Sequence, residues 1–97
     1  MKKYKKNSEF ILRSSKLKSP KTIRLRLITF YEAIDLKYGD WVYTLDNKGK
    51  AASIRVASKL KRYKNDPLRI EISFKFGLYQ KWRANTEDIL NNIYVEV

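Results

Sequence analysis

Apolar residues fall on every second position in two stretches of the chain, and a period of two marks a strand with one face turned to a core. From Thr22 to Leu27, the residues Ile23, Leu25 and Leu27 share one face, and Thr22, Arg24 and Arg26 the other. From Leu68 to Phe76, the positions Leu68, Ile70, Ile72, Phe74 and Phe76 face inward, while Arg69, Glu71, Ser73 and Lys75 face outward. Asp66-Pro67 punctuates the start of that second stretch and Gly77 its end. Trp41 to Leu45 and Ala52 to Ala57 read as two antiparallel strands joined by the turn-rich run Asp46-Asn47-Lys48-Gly49-Lys50. Phe10-Ile11-Leu12 is a short strand or apolar anchor, and Ile93 to Val97 a final strand.

Helix signals are fewer. Thr29 with Glu32 three residues later has the form of a capping box and predicts a short helix through Leu36, ended by Lys37-Tyr38-Gly39-Asp40. Asn85 caps a second, acidic helix to Asn91, and Ser14 to Pro20 reads as a loop. The expected fold is mainly β (α+β), a small compact barrel or sandwich of five or six strands with two short helices. Residues 1–8 are expected to form a basic flexible arm and 9–97 a single domain. Its predicted core holds Ile23, Leu25, Leu27, Trp41, Val56, Ile70, Ile72 and Phe74.

Charge changes this picture most. The 97 residues carry 22 Lys and Arg against 10 Asp and Glu, a formal net charge of +12, beyond the magnitude of about 2–8 that solubility asks of a small domain. Such an excess calls for a polyanion, and nucleic acid is the commonest. Residues 1–26 hold ten of the bases and one acid, Glu9, whereas 84–97 carry Glu87, Asp88 and Glu96 and no base. No apolar run approaches the ~20 residues of a spanning helix, and polar Asn7, Ser8 and Glu9 follow the first lysines where a signal peptide would turn apolar. A cytoplasmic protein with no membrane partner is expected.

Cysteine and histidine are both absent, which removes disulfides, the usual zinc ligands, thiol nucleophiles and the histidine base. Glu87 and Asp88 are read as helix N-terminal charges. The expectation is a protein that is not an enzyme and uses no metal or cofactor.

The candidate contacts are therefore cationic. Arg24 and Arg26 share one strand face, and a planar guanidinium fork suits phosphate oxygens and base edges. Arg13, Lys16, Lys18 and Lys21 flank them, and Lys59, Lys61, Arg62 and Lys64 form a second cluster. Among the aromatics, most are expected in the core; Tyr63, inside a Lys-Leu-Lys-Arg-Tyr-Lys run, and Trp82, between Lys81 and Arg83, have the neighbours of a base-stacking surface.

Residues 22–45 resemble the core of the AbrB/MazE-type swapped-hairpin DNA-binding family. The resemblance rests on the strand bearing Arg24 and Arg26, the helix Thr29 to Leu36, the turn Leu36-Lys37-Tyr38-Gly39-Asp40 and the strand Trp41 to Leu45, about a quarter of the chain. It implies an intertwined homodimer that lays its arginine strands on DNA, in preference to RNA, as a transcriptional regulator. A β-barrel of SH3 or KOW kind that binds RNA or DNA is the alternative of the same chemistry, and a small phage-type inhibitor docking on an acidic protein surface is the alternative of another class. If the strand face reads bases, Arg24→Ala with Arg26→Ala blurs sequence preference, whereas deleting residues 1–6 weakens all sequences alike and flattens the salt slope. Titrations of cognate and random oligonucleotides separate the two effects.

Overall fold

The computed structural model describes residues 8–13 and 21–97. Eight strands and two helices follow in the order β1 (Ser8–Ile11), β2 (Thr22–Leu27), α1 (Phe30–Ala33), β3 (Trp41–Leu45), β4 (Ala51–Val56), β5 (Lys61–Tyr63), β6 (Asp66–Phe76), β7 (Gln80–Asn85), α2 (Thr86–Asn92) and β8 (Tyr94–Glu96). The mainly β class with two short helices is as expected, with eight strands in place of five or six. The two additional strands are β5, whose three residues show no apolar alternation, and β7, where only Trp82 and Ala84 alternate with polar neighbours. Most of the predicted arm lies outside the described residues, but Ser8 opens β1 opposite Leu25.

All eight strands join one antiparallel sheet in the order β1-β2-β8-β3-β4-β6-β5, with β7 on the other edge of β6. β3, β4, β6 and β7 follow one another as a meander, and β8 returns between β2 and β3. β6 is long enough to take β4 at Phe74 and Lys75 and β5 at Ile70 and Glu71 along one edge.

The pleat sorts side chains onto two faces. On the first, Val42, Ile54, Val56, Ile70, Ile72, Phe74 and Ala84 pack with Ile28, Ala33, Ile89 and Ile93 from the helical segments into the main core. Burial of each aliphatic or aromatic side chain contributes roughly 1.5–3 kcal/mol. On the second, a smaller cluster of Phe10, Leu25, Ala51 and Tyr94 forms where β1 and β2 meet β8 and β3, with Phe10 edge-on to Tyr94 at 5.8 Å.

Of the predicted core, Leu25, Val56, Ile70, Ile72 and Phe74 are buried and Ile23 and Leu27 half-buried. Two inward assignments are corrected. Trp41 is 63% exposed, because the β3 pleat sets it with Tyr43 and Leu45 on the side opposite Val42, and its neighbour there is Arg55. Leu68 is 68% exposed, near the point where the β5 pairing slips between Arg62 and Tyr63.

Both capping boxes form. The Asp88 amide donates to Asn85 Oδ1 at 2.9 Å, and the Asn85 amide to Asp88 Oδ2 at 3.3 Å. In α1, the Glu32 amide donates to Thr29 Oγ1 at 3.2 Å and Glu32 Oε1 accepts from the Thr29 amide at 3.0 Å. Glu32 has a further partner: both its oxygens accept from the Arg26 guanidinium, at 2.7 and 2.6 Å. Among the described residues no helix is long and apolar enough to cross a membrane.

The Arg26 guanidinium, and after it the Thr29 amide, hold the Glu32 carboxyl down to about 2, while the carboxylate raises the Arg26 pKa in turn. A depressed carboxylate stabilises the fold above its unfolded pKa and loses that contribution as pH falls through its folded value. Stability is therefore expected to fall between about pH 4.5 and 2 through this group. Glu32→Gln costs roughly 1 kcal/mol at pH 7, between a solvent-screened ion pair and a helix cap, and reduces the acid-side loss. Urea unfolding of both proteins at neutral and acid pH measures this, and parallel pH profiles would refute it.

Candidate nucleic-acid interface

Antiparallel registers fix which side chains stand abreast, and on the second sheet face they align cations from strands distant in sequence. Trp41 is opposite Arg55, Arg55 opposite Lys75, and Lys75 opposite Lys81, a continuous row across β3, β4, β6 and β7. In the next row Ser73 stands opposite Arg83, and beyond it Lys61 and Asn85 flank Glu71. Adjacent strands lie about 4.8 Å apart, so the three cations of the first row fall within about 10 Å. Among the described residues of these strands, Glu71 is the one carboxylate the pleat places on this face, and Arg69 Nη2 lies 3.6 Å from it.

Two shallow depressions follow the surface. One, of about 220 Å³, is lined by Ser58, Lys59, Lys61, Glu71, Ser73 and Arg83, with Ile72 at its floor. The other, of about 430 Å³, lies between Trp41, Ser53, Arg55, Lys75 and the Gly77–Leu78 turn. Arg55 Cζ sits 5.6 Å from the Trp41 ring centroid, and its Nε donates to the Gly39 carbonyl at 3.4 Å.

That arrangement starts from the turn before β3. Asp40 Oδ2 accepts from the Lys37 amide at 2.8 Å. The Gly39 amide donates to Val56 O and the Val56 amide to Asp40 O, at 2.9 and 2.8 Å. Gly39 has φ +91°, and a Cβ there would come within 3.4 Å of Arg55 Nη2. Glycine thus allows the left-handed backbone and the close passage of the guanidinium together.

The residues singled out in the sequence are scattered by comparison. Arg24 and Arg26 lie on the helix-bearing side of the sheet, since Arg26 is abreast of Val95, which packs on the main core. Arg26 is committed to Glu32 and Arg24 stands opposite Glu9, so the expected shortage of acids around them does not hold. The double substitution proposed above would remove a structural ion pair as well. Arg13 is 3.8 Å from Asp46, whose carboxyl is held down first by the Lys50 amide. Lys21 is exposed just before β2, and Lys16 and Lys18 lie outside the described residues.

Lys59 and Lys61 join the cationic face, whereas Arg62, opposite Ile70, points to the other side and Lys64 sits in the β5–β6 turn. Trp82 faces the other side of the sheet, half-buried at the edge of the main core, with its ring 5.7 and 6.1 Å from Phe74 and Phe76. Tyr63 is half-buried, with Arg69 and Lys61 at 4.1 and 5.2 Å from its ring. Arg55, Lys75, Lys81 and Arg83, which the register brings onto one face with Trp41, were not among the sequence candidates. The outward parity of Lys75 was readable, and a hairpin centred on Gly77 would have brought Lys81 beside it.

Comparison with protein-family models, with curated proteins and with solved structures returns no match.

Like charges directly opposite one another destabilise a sheet, and here they repeat along one row. Raising the ionic strength from about 0.01 to about 1 M shortens the screening length from about 30 to about 3 Å, so the melting temperature is expected to rise with salt. Lys75→Gln interrupts the row at its centre, raises the melting temperature at low salt and removes part of that rise. Lys48→Gln, in the exposed β3–β4 turn, has less effect. Equal responses of the two variants in thermal scans would show that the row holds no special repulsion.

Proposed function

We propose that the protein binds nucleic acid through the face formed by Arg55, Lys59, Lys61, Lys75, Lys81 and Arg83. The observation that carries this reading is the uncompensated cationic row across β4, β6 and β7, in which neighbouring ladder positions are all basic. A polyanion relieves the repulsion and releases its own counterions, which is the main source of sequence-independent affinity for nucleic acid. The net charge of +12 supports the same partner class. Relative to the swapped-hairpin resemblance, the reading moves the contact from the Arg24 and Arg26 strand to the opposite side of the sheet. It assigns no regulatory role and does not depend on a dimer.

The test is a binding isotherm for mixed-sequence oligonucleotides at several salt concentrations. The logarithm of affinity falls with the logarithm of salt by about 0.9 for each phosphate contacted on duplex DNA and about 0.7 on single strands. Replacing Lys75, Lys81 and Arg83 together with alanine is expected to flatten that slope by about two to three contacts. Arg24→Ala has the smaller effect. An unchanged slope in the triple variant places the contact elsewhere, and absence of binding at low salt turns the reading toward an acidic protein partner.

A further inference from the structure

Trp41 is the one large aromatic in the cationic row; the pleat turns it away from the main core, and it packs in neither apolar cluster. Its backbone is held by the Gly39 and Asp40 hydrogen bonds to β4, and Arg55 lies over its ring. It is therefore an apolar plate on a hydrogen-bonded backbone, 63% exposed to solvent. Beside it the 430 Å³ depression combines an apolar wall, Trp41 and Leu78, with a cationic floor, Arg55 and Lys75. Leu78 is itself 75% exposed.

Building on the nucleic-acid reading above, we infer that this depression receives an unpaired base and that the ligand is a single strand. The base lies against Trp41 and Leu78, and the flanking phosphates run along Lys75, Lys81 and Arg83. Stacking on an aromatic side chain needs the face of a base, which a duplex hides within its own stack. Width argues the same way. The four strands of the row span three inter-strand gaps, about 14 Å between backbones, whereas the major groove is about 12 Å wide and admits a helix or a two-stranded ribbon. Laid flat, this face meets only the phosphates of a duplex and leaves Trp41 without a contact.

The experiment titrates the full chain, carrying Trp82→Phe so that Trp41 alone reports by fluorescence, with oligo(dT), oligo(U), an abasic strand of equal length and a hairpin duplex at matched salt. Oligo(dT) and oligo(U) are expected to quench Trp41 and to bind more tightly than the abasic strand and the duplex. The two base-bearing strands separate DNA from RNA preference. In the Trp82 parent, with fluorescein-labelled strands, Trp41→Ala weakens single-strand binding by about 5–150-fold, the range for one lost stack. It leaves duplex affinity and the salt slope unchanged, and Trp41→Phe recovers most of the loss. Binding of the abasic strand as tight as that of oligo(dT), or a Trp41→Ala effect that is nil or equal on duplex and single strand, overturns the inference. If the Lys75, Lys81 and Arg83 variant still weakens binding in that case, the nucleic-acid reading survives alone. If no strand binds at low salt, both fall.

Discussion

β6 is hydrogen-bonded on both edges, with β4 and β5 along one and β7 along the other, and the arrangement of the sheet depends on that double pairing. Buried backbone amides and carbonyls need partners, so an eleven-residue strand in mid-sheet fixes the position of three neighbours. Its own alternation then determines what each face becomes. Ile70, Ile72 and Phe74 build the main core, and Glu71, Ser73 and Lys75 face away from it. Thr86, the first residue of α2, continues this pairing: its hydroxyl donates to Leu68 O and accepts from the Ile70 amide, at 2.7 and 2.9 Å. The helix is thereby tied to the strand whose core it covers.

From these constraints follows a sheet with chemically different sides. The helix-bearing side is apolar and closed by α1 and α2. The opposite side is divided: its β1–β2–β8 end is covered by its own small apolar cluster, and its β4–β6–β7 end is cationic and, among the described residues, uncovered. Among the described residues, the ion pairs Arg26 with Glu32, Arg13 with Asp46 and Arg69 with Glu71 involve none of the row Arg55, Lys75 and Lys81. Tertiary pairing thus gathers into one row cations that lie far apart in the sequence.

What the sequence showed and what it concealed follow one distinction, between local and non-local causes. The two capping boxes were readable because Thr29 with Glu32, and Asn85 with Asp88, are three residues apart and form within one turn. β6 was readable because one parity of it is apolar and the other polar. β3 was readable as a strand, Trp41 to Leu45, but not in its facing, because Trp41, Tyr43 and Leu45 on one parity and Val42 on the other are all apolar, and alternation cannot then say which side is buried. β7, with Trp82 and Ala84 alternating with Lys81, Arg83 and Asn85, offers too short a pattern to separate a strand from a loop. The cationic row joins positions 55, 75 and 81, so a count of charge along the chain gives no sign of it. Arg26 looked available for the same reason: Glu32 reaches it across the junction of strand and helix, at a spacing that no short motif describes.

Sequence separation also divides the sheet by the cost of making it. From Trp41 to Asn85 each strand of the meander pairs with one close in the chain, whereas Leu27 finds Tyr94 across 67 positions. The entropy of closing a loop grows with its length, and distant pairings slow folding. Joining β2 to β8 is thus the most demanding closure among the described pairings. Arg55, Lys75, Lys81 and Arg83 all belong to the inexpensive part. Their alignment rests on pairings between strands close in the chain, so the cationic row is set in the part of the sheet with the lowest closure entropy, apart from the β2–β8 seam.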